Sequence, residues 1–243
     1  VVATLGTTSS TSVDPIAEIA GVCGGEGIWL HVDAAYAGAA ATLPEMRHHF
    51  DGWERADSIV FNPHKWMFTP FDASLLLFRD SDAFRDAFSL VPEYIKTGVS
   101  DEARNFNEYG IQLGRRFRAL KMWVQIRWFG VEGIRARLRE HCAWAREFAG
   151  WIDAAPDWER MAPVPFSTVC YRYRGSELEE EAAIEARNAA ILNHVNATGR
   201  FYLSHTKLGG RYTLRLALGN LRQTREHVRD VWETLQSAAD ETA

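Results

Sequence analysis

Cysteine is scarce: Cys23, Cys142 and Cys170 are the only three in 243 residues. They are odd in number and widely spaced, which excludes a disulfide framework and a cysteine metal site and makes a reducing cytoplasm the expected compartment. Long apolar runs are missing too. No stretch reaches the roughly 18 residues that a bilayer crossing requires, so the chain is not expected in a membrane. Nor is there a basic stripe, because 27 Lys and Arg are scattered among 32 Asp and Glu for a formal charge of -5. A nucleic-acid partner is therefore not expected. Internal repeats and low-complexity tracts are lacking. The chain also starts without an initiator Met or a signal-peptide n-region, and Val1–Leu5 already reads as a buried strand, so the expectation is a piece of a longer protein that begins in mid-domain.

What is present is a chain 47% apolar and 24% charged, enough to bury a sizeable core in one large or two small domains. The first 80 residues alternate candidate strands with helical spacing. The strands are Val1–Leu5, Ile28–Val32, Ser58–Phe61 and Ala73–Phe78, and Asp14 to Gly25 has a helical period with Pro15 early in its first turn. Alternation of this kind predicts an α/β sheet with parallel strands. From Phe88 to Tyr109 the period is lost across Pro92, Gly98, Ser100, Asn105 and Asn107, which marks a long irregular connection and a candidate active-site lid. Helical spacing resumes from Arg115 to Phe129 through Phe117, Leu120, Trp123, Val124 and Trp128. After Gly130 a second helix runs through Ile134, Leu138, Cys142, Ala145 and Phe148. A smaller α+β unit follows, with strands Thr168–Tyr173, Phe201–His205 and Thr213–Ala217, a helix from about Leu178 to Val195, and a last helix that Thr224 caps.

Two strand ends carry the chemistry. Gly27-Ile-Trp-Leu-His-Val-Asp33 is an apolar strand ending in a carboxylate, followed by small Ala34 and Ala35, over which a flat ring can approach the backbone. In an open α/β sheet, ligands sit beyond such carboxyl ends. Alone, Asp33 is more often a turn former or a helix cap. The next strand, Ser58–Phe61, runs into Asn62-Pro-His-Lys65-Trp66, which sets a lysine at a second strand end. Its neighbours Phe61, Trp66, Met67 and Phe68 are aromatic or apolar, surroundings that favour the neutral, nucleophilic amine. Pyridoxal phosphate (PLP) chemistry needs this pair: an amine to form a Schiff base and a carboxylate to keep the pyridine nitrogen protonated. His64 either contacts the phosphate or stacks on the bound adduct; its bland alternative is a helix-capping or core histidine.

The runs Val1-Val-Ala-Thr-Leu-Gly-Thr-Thr-Ser9, His31-Val-Asp-Ala-Ala-Tyr-Ala-Gly38, Asn62-Pro-His-Lys-Trp66 and Leu113-Gly-Arg-Arg-Phe-Arg-Ala-Leu-Lys-Met-Trp123 resemble the group II PLP-dependent amino-acid decarboxylases. Among these the aromatic-L-amino-acid, tyrosine and tryptophan enzymes look most similar, and the resemblance covers essentially the whole chain.

That resemblance implies an α/β subunit of PLP fold type I, aspartate-aminotransferase-like. Residues 1–126 would be the C-terminal portion of the large cofactor domain and residues 127–243 the small α+β domain. It further implies Lys65 as the Schiff-base lysine, Asp33 on the pyridine nitrogen, Asn62 and His64 toward the phosphate, and Thr8 and Ala35 lining the ring. The implied reaction is decarboxylation of an L-amino acid by a homodimer with shared active sites. Tyr94, in Val91-Pro-Glu-Tyr-Ile-Lys96, matches the loop tyrosine that protonates the α-carbon, where aldehyde-forming relatives have Phe. Two departures bear on loop closure and substrate preference: 101–110 lacks the usual Arg-Asp/His-Trp pattern, and Thr69-Pro70 replaces Val-Asn or Thr-Asn. The upstream phosphate loop, the ring-stacking histidine and most of the substrate pocket of the family are not among these residues. The chain by itself is therefore expected to be catalytically incomplete.

Overall fold

Short β-branched and apolar runs, each closed by a polar or small residue, build the first sheet. Strands β1 (Val2–Thr4), β2 (His31–Asp33) and β3 (Ser58–Phe61) are parallel neighbours, and β4 (Leu75–Phe78) adds antiparallel to β3. The register pairs Thr4 with Asp33 and Asp33 with Val60, so the carboxyl ends of the three parallel strands lie level on one side. The computed structural model describes residues 1–88 and 106–242.

The connection from β1 to β2 is α1 (Ile16–Glu26), which buries Ile16, Ala20 and Cys23 against the sheet and ends on Gly27 at φ 64°. From β2 to β3 the chain instead takes three 3₁₀ turns, Ala37–Thr42, Pro44–Phe50 and Trp53–Arg55. Gly38 permits the tight passage of the first, because a Cβ there would lie 2.6 Å from the Phe61 ring. Helix α2 (Ser81–Phe88) follows β4, and at the end of the expected irregular connection Phe106–Tyr109 forms a 3₁₀ turn held by an Arg85–Glu108 ion pair of 2.9 Å.

Helix α3 (Ala119–Ala154) is interrupted at Gly130, whose φ 65° and ψ 173° lie outside helical space. The two successive helices expected around Gly130 are thus found. The first begins at Ala119 rather than at Arg115, and its expected apolar face does not enter a core: Trp128 is 82% exposed, and Phe117, just ahead of the helix, 77%. Beyond Gly130, Ile134, Leu138 and Cys142 join the core beneath the first sheet, while Ala145, Phe148 and Ile152 join a second core.

That second core lies between helices and an antiparallel sheet of order β5-β6-β8-β7, formed by Trp158–Arg160, Thr168–Tyr173, Arg211–Ala217 and Ser204–Leu208 respectively. Helices α4 (Glu181–Ala197) and α5 (Arg225–Glu241) pack against each other, and Thr224 caps α5 by accepting the His227 N–H at 3.3 Å. The α+β arrangement matches the sequence pattern; edge strand β5 was not anticipated. Among the described residues, no helix is long and apolar enough to cross a membrane.

Candidate active site

Parallel pairing decides which residues meet. Since β1, β2 and β3 end level, the loop after β1, Asp33 at the end of β2 and the turn after β3 converge on one side of the sheet. There they line a cavity of about 240 Å³ with Thr8, Asp33, Ala35 and Lys65 in its wall.

The loop after β1 is shaped by its own backbone. Gly6 and Thr7 both donate their N–H to Ser12 O at 3.0 Å. Gly6 sits at φ 86°, and a Cβ on it would come within 2.9 Å of Ala37 Cβ, so this close approach requires glycine. Asp33 is oriented by the Ala35 N–H, which donates to Oδ1 at 3.0 Å. Ala35 keeps the wall beside it low.

After β3 the chain turns sharply, with the Lys65 N–H donating to Asn62 O at 2.9 Å. Side chains on either side of this turn diverge: Trp66 and Met67 enter the core, and Lys65 is exposed and faces the cavity. This corrects the expectation that apolar sequence neighbours enclose the lysine. They support the turn from behind instead.

Asn62 and His64 do not line the cavity, and both are engaged in closing the 62–74 loop. Ser74 Oγ–H donates to Asn62 Oδ1 at 2.5 Å, and His64 Nδ1 lies 2.6 Å from Ala73 O and 3.1 Å from Ala73 N. Thr69, noted as a departure, is buried and its hydroxyl donates to Gln125, whose amide donates in turn to Met67 O. It ties the lysine turn to α3. Tyr94 lies outside the described residues.

The second sheet supplies wall residues that sequence reasoning did not identify: Thr168, Ala217 and Arg215. Arg215 donates through Nε to Ser9 O and through Nη2 to Thr8 O, both at 2.7 Å, and through Nη1 to Ser204 Oγ at 2.9 Å. Its signal was an arginine between two leucines in a strand. Tyr36, also in the wall, has its phenol pushed up to about 12 by burial.

Residues 1–174 match the model of the pyridoxal-dependent decarboxylase conserved domain. The chain belongs to the pyridoxal-dependent decarboxylase family. A tryptophan decarboxylase of Camptotheca acuminata is 39% identical over 240 residues, spanning 98% of this chain and 48% of that protein. A phenylacetaldehyde synthase of Arabidopsis thaliana is 41% identical over 239 residues, spanning 98% and 49%. Among solved structures, Oryza sativa TDC with PLP and tryptamine superposes with a TM-score of 0.94 at 39% identity, over 99% of this chain and 50% of that one. The chain spans about half the length of the curated relatives it matches. Fold type I, expected from the resemblance, is the fold of this pyridoxal-dependent decarboxylase chain.

The donor set fits PLP. An aldehyde needs an amine, which Lys65 brings; a pyridinium N–H needs an acceptor, which Asp33 brings; and a planar ring needs a low wall, which Ala35 leaves.

Proposed function

We propose that this chain is the lysine-bearing portion of a PLP-dependent carboxy-lyase that converts an aromatic L-amino acid to its amine and carbon dioxide. The observation that carries the reading is the convergence of Lys65 and Asp33 on one cavity at the carboxyl ends of neighbouring parallel strands.

Bound PLP supplies an electron sink for the pair released when carbon dioxide leaves. Lys65 would hold the cofactor by its amine, as a group that the substrate amine can replace. Asp33, a carboxylate fixed by the Ala35 N–H, holds the proton on the ring nitrogen, without which the sink is weak. Thr8 and Ala35, both in the cavity wall, would line the ring. Asn62 and His64, whose side chains close the 62–74 loop, are the residues that would contact the phosphate. Tyr94 is the proposed proton donor to the α-carbon. The reading divides the chain into a large-domain segment, residues 1–126, and a small domain, residues 127–243, working as a cytoplasmic homodimer whose partner completes the site.

Similarity to tryptophan and tyrosine decarboxylases supports an aromatic substrate. A second reading, aldehyde synthesis, is favoured by the likeness to the phenylacetaldehyde synthase and to a Rhodiola rosea 4-hydroxyphenylacetaldehyde synthase structure with a TM-score of 0.88. The natural polypeptide, loaded with PLP, is tested on Tyr, Trp, Dopa, Phe and Glu. Carbon dioxide with equimolar amine from an aromatic substrate is expected, and Lys65→Ala abolishes it. Aldehyde, ammonia and peroxide would select the second reading. A PLP-bound protein that releases no carbon dioxide from any of the five would overturn the first.

A further inference from the structure

Trp66 follows Lys65 directly in the turn after β3. Trp66 is wholly buried while Lys65 is exposed, so the turn is anchored on one side and open on the other. The Trp66 indole stacks on the Tyr36 ring with centroids 5.0 Å apart and planes 2° from parallel, and meets Phe166 edge-on at 6.0 Å. Its Nε1–H donates to His141 Nδ1 on α3 at 3.2 Å, and a Cβ on Gly219 would come within 4.0 Å of it. One side chain thus touches the segment after β2, helix α3, and the flanks of β6 and β8.

Tyr36 is fixed in turn. Ser167 donates its hydroxyl to Leu218 O at 2.6 Å, which leaves the 2.5 Å contact between Tyr36 and Ser167 to be donated by the phenol. The Tyr36 proton is committed to Ser167. The residue therefore orients the stack rather than donating a proton into the cavity it lines.

We propose that Trp66 is a positioning residue for Lys65, clamped between Tyr36 and His141 so that the lysine amine enters the cavity in one direction. This rests on the reading of Lys65 as the PLP-anchoring amine. An amine carried on a turn whose far side is a stacked, hydrogen-bonded indole keeps its approach geometry, and small misplacement of a reacting group is costly in rate. A core role alone would give stability without direction.

The test is borohydride fixation of PLP in the natural polypeptide, mapped to Lys65 by peptide mass, together with the pH midpoint of the visible absorbance of the loaded protein. Trp66→Leu removes both stack and donor, Trp66→Phe keeps a ring without the donor, and Tyr36→Phe keeps the stack but releases Ser167. Fixation at Lys65 is expected to slow by about tenfold or more in Trp66→Leu. Smaller slowing and a moved pH midpoint are expected in the two Phe variants, with the far-ultraviolet circular dichroism of wild type. Folded variants with wild-type fixation rates and midpoints would overturn the proposal. Should Trp66→Leu not fold, an unchanged rate and midpoint in Tyr36→Phe would do so by themselves. A wild-type protein that fixes no PLP at Lys65 sinks the reading of the lysine itself, whereas equal fixation in wild type and variants sinks only the positioning role.

Discussion

Arg215 joins the two sheets through a single planar group. Its guanidinium reaches two adjacent carbonyls, Ser9 O and Thr8 O, through the Nε and Nη2 hydrogens that share one edge of the planar group, a geometry that a lysine ammonium cannot reproduce. Since Thr8 is one of the wall residues, loosening this clamp moves the wall. Arg215→Lys is expected to cost about 1.5–3 kcal/mol, the range for a hydrogen bond to a charged donor, and to weaken PLP binding; urea unfolding and a PLP titration measure the two. His141 gives a pH signature. It accepts from Trp66 at Nδ1, so the ring is neutral, and burial lowers its pKa to about 4. The unfolded chain takes up the proton near the ordinary value of about 6.5. The folded pKa is thus the lower one, and the contribution of His141 is full above about 6.5 and lost as pH falls toward 4. Between pH 7 and pH 5 the loss is on the order of 2 kcal/mol. His141→Gln can still accept from Trp66 but does not titrate, so its unfolding free energy should fall less over that interval; parallel profiles for the two proteins would show that the histidine titrates normally.

At the scale of elements, Gly130 is the clearest hinge point. Its φ 65° and ψ 173° fall where essentially only glycine is at ease, and no atom lies near the Cβ position, so backbone strain alone opposes a side chain. Gly130→Ala is expected to destabilise by about 1–3 kcal/mol, read from the thermal or urea midpoint. This break was legible in the sequence, as were β3, β6 and the Thr224 cap, because each depends on local period or on one punctuating residue. That Asp33 and Lys65 face one cavity was legible for a related reason: parallel strands end on the same side of a sheet. The surroundings of Lys65 were not, since a sharp turn sends consecutive side chains in opposite directions and sequence proximity to Trp66 says nothing about enclosure. Arg215 and Tyr36 escaped notice because their contacts, with Thr8 and Ser167, cross most of the chain. Edge strand β5 is too short to show a period.

For the whole molecule, the telling feature is the outward apolar surface that the first half of α3 presents. Leu120, Trp123, Val124 and Trp128 are each more than half exposed, and Leu120, Val124 and Trp128 border, with Phe117, a groove of about 620 Å³. The helical spacing that would ordinarily turn such residues into a core is satisfied here on the side away from it, where buried Gln125 faces Thr69. A contiguous apolar surface of this kind drives association in water. The proposed homodimer needs such a surface, and burying the exposed parts of these side chains at roughly 25 cal/mol per Å² favours association. The purified 243-residue chain is expected to sediment as a dimer or larger species whose proportion rises with concentration. Trp123→Glu with Trp128→Glu sets a carboxylate on each of the two indole positions and should shift it toward monomer, while helix content by circular dichroism stays constant because both positions are solvent-facing on one copy. If the double variant associates as strongly as the parent chain, this face is not what holds the copies together, and the dimer contact must be sought elsewhere on the molecule.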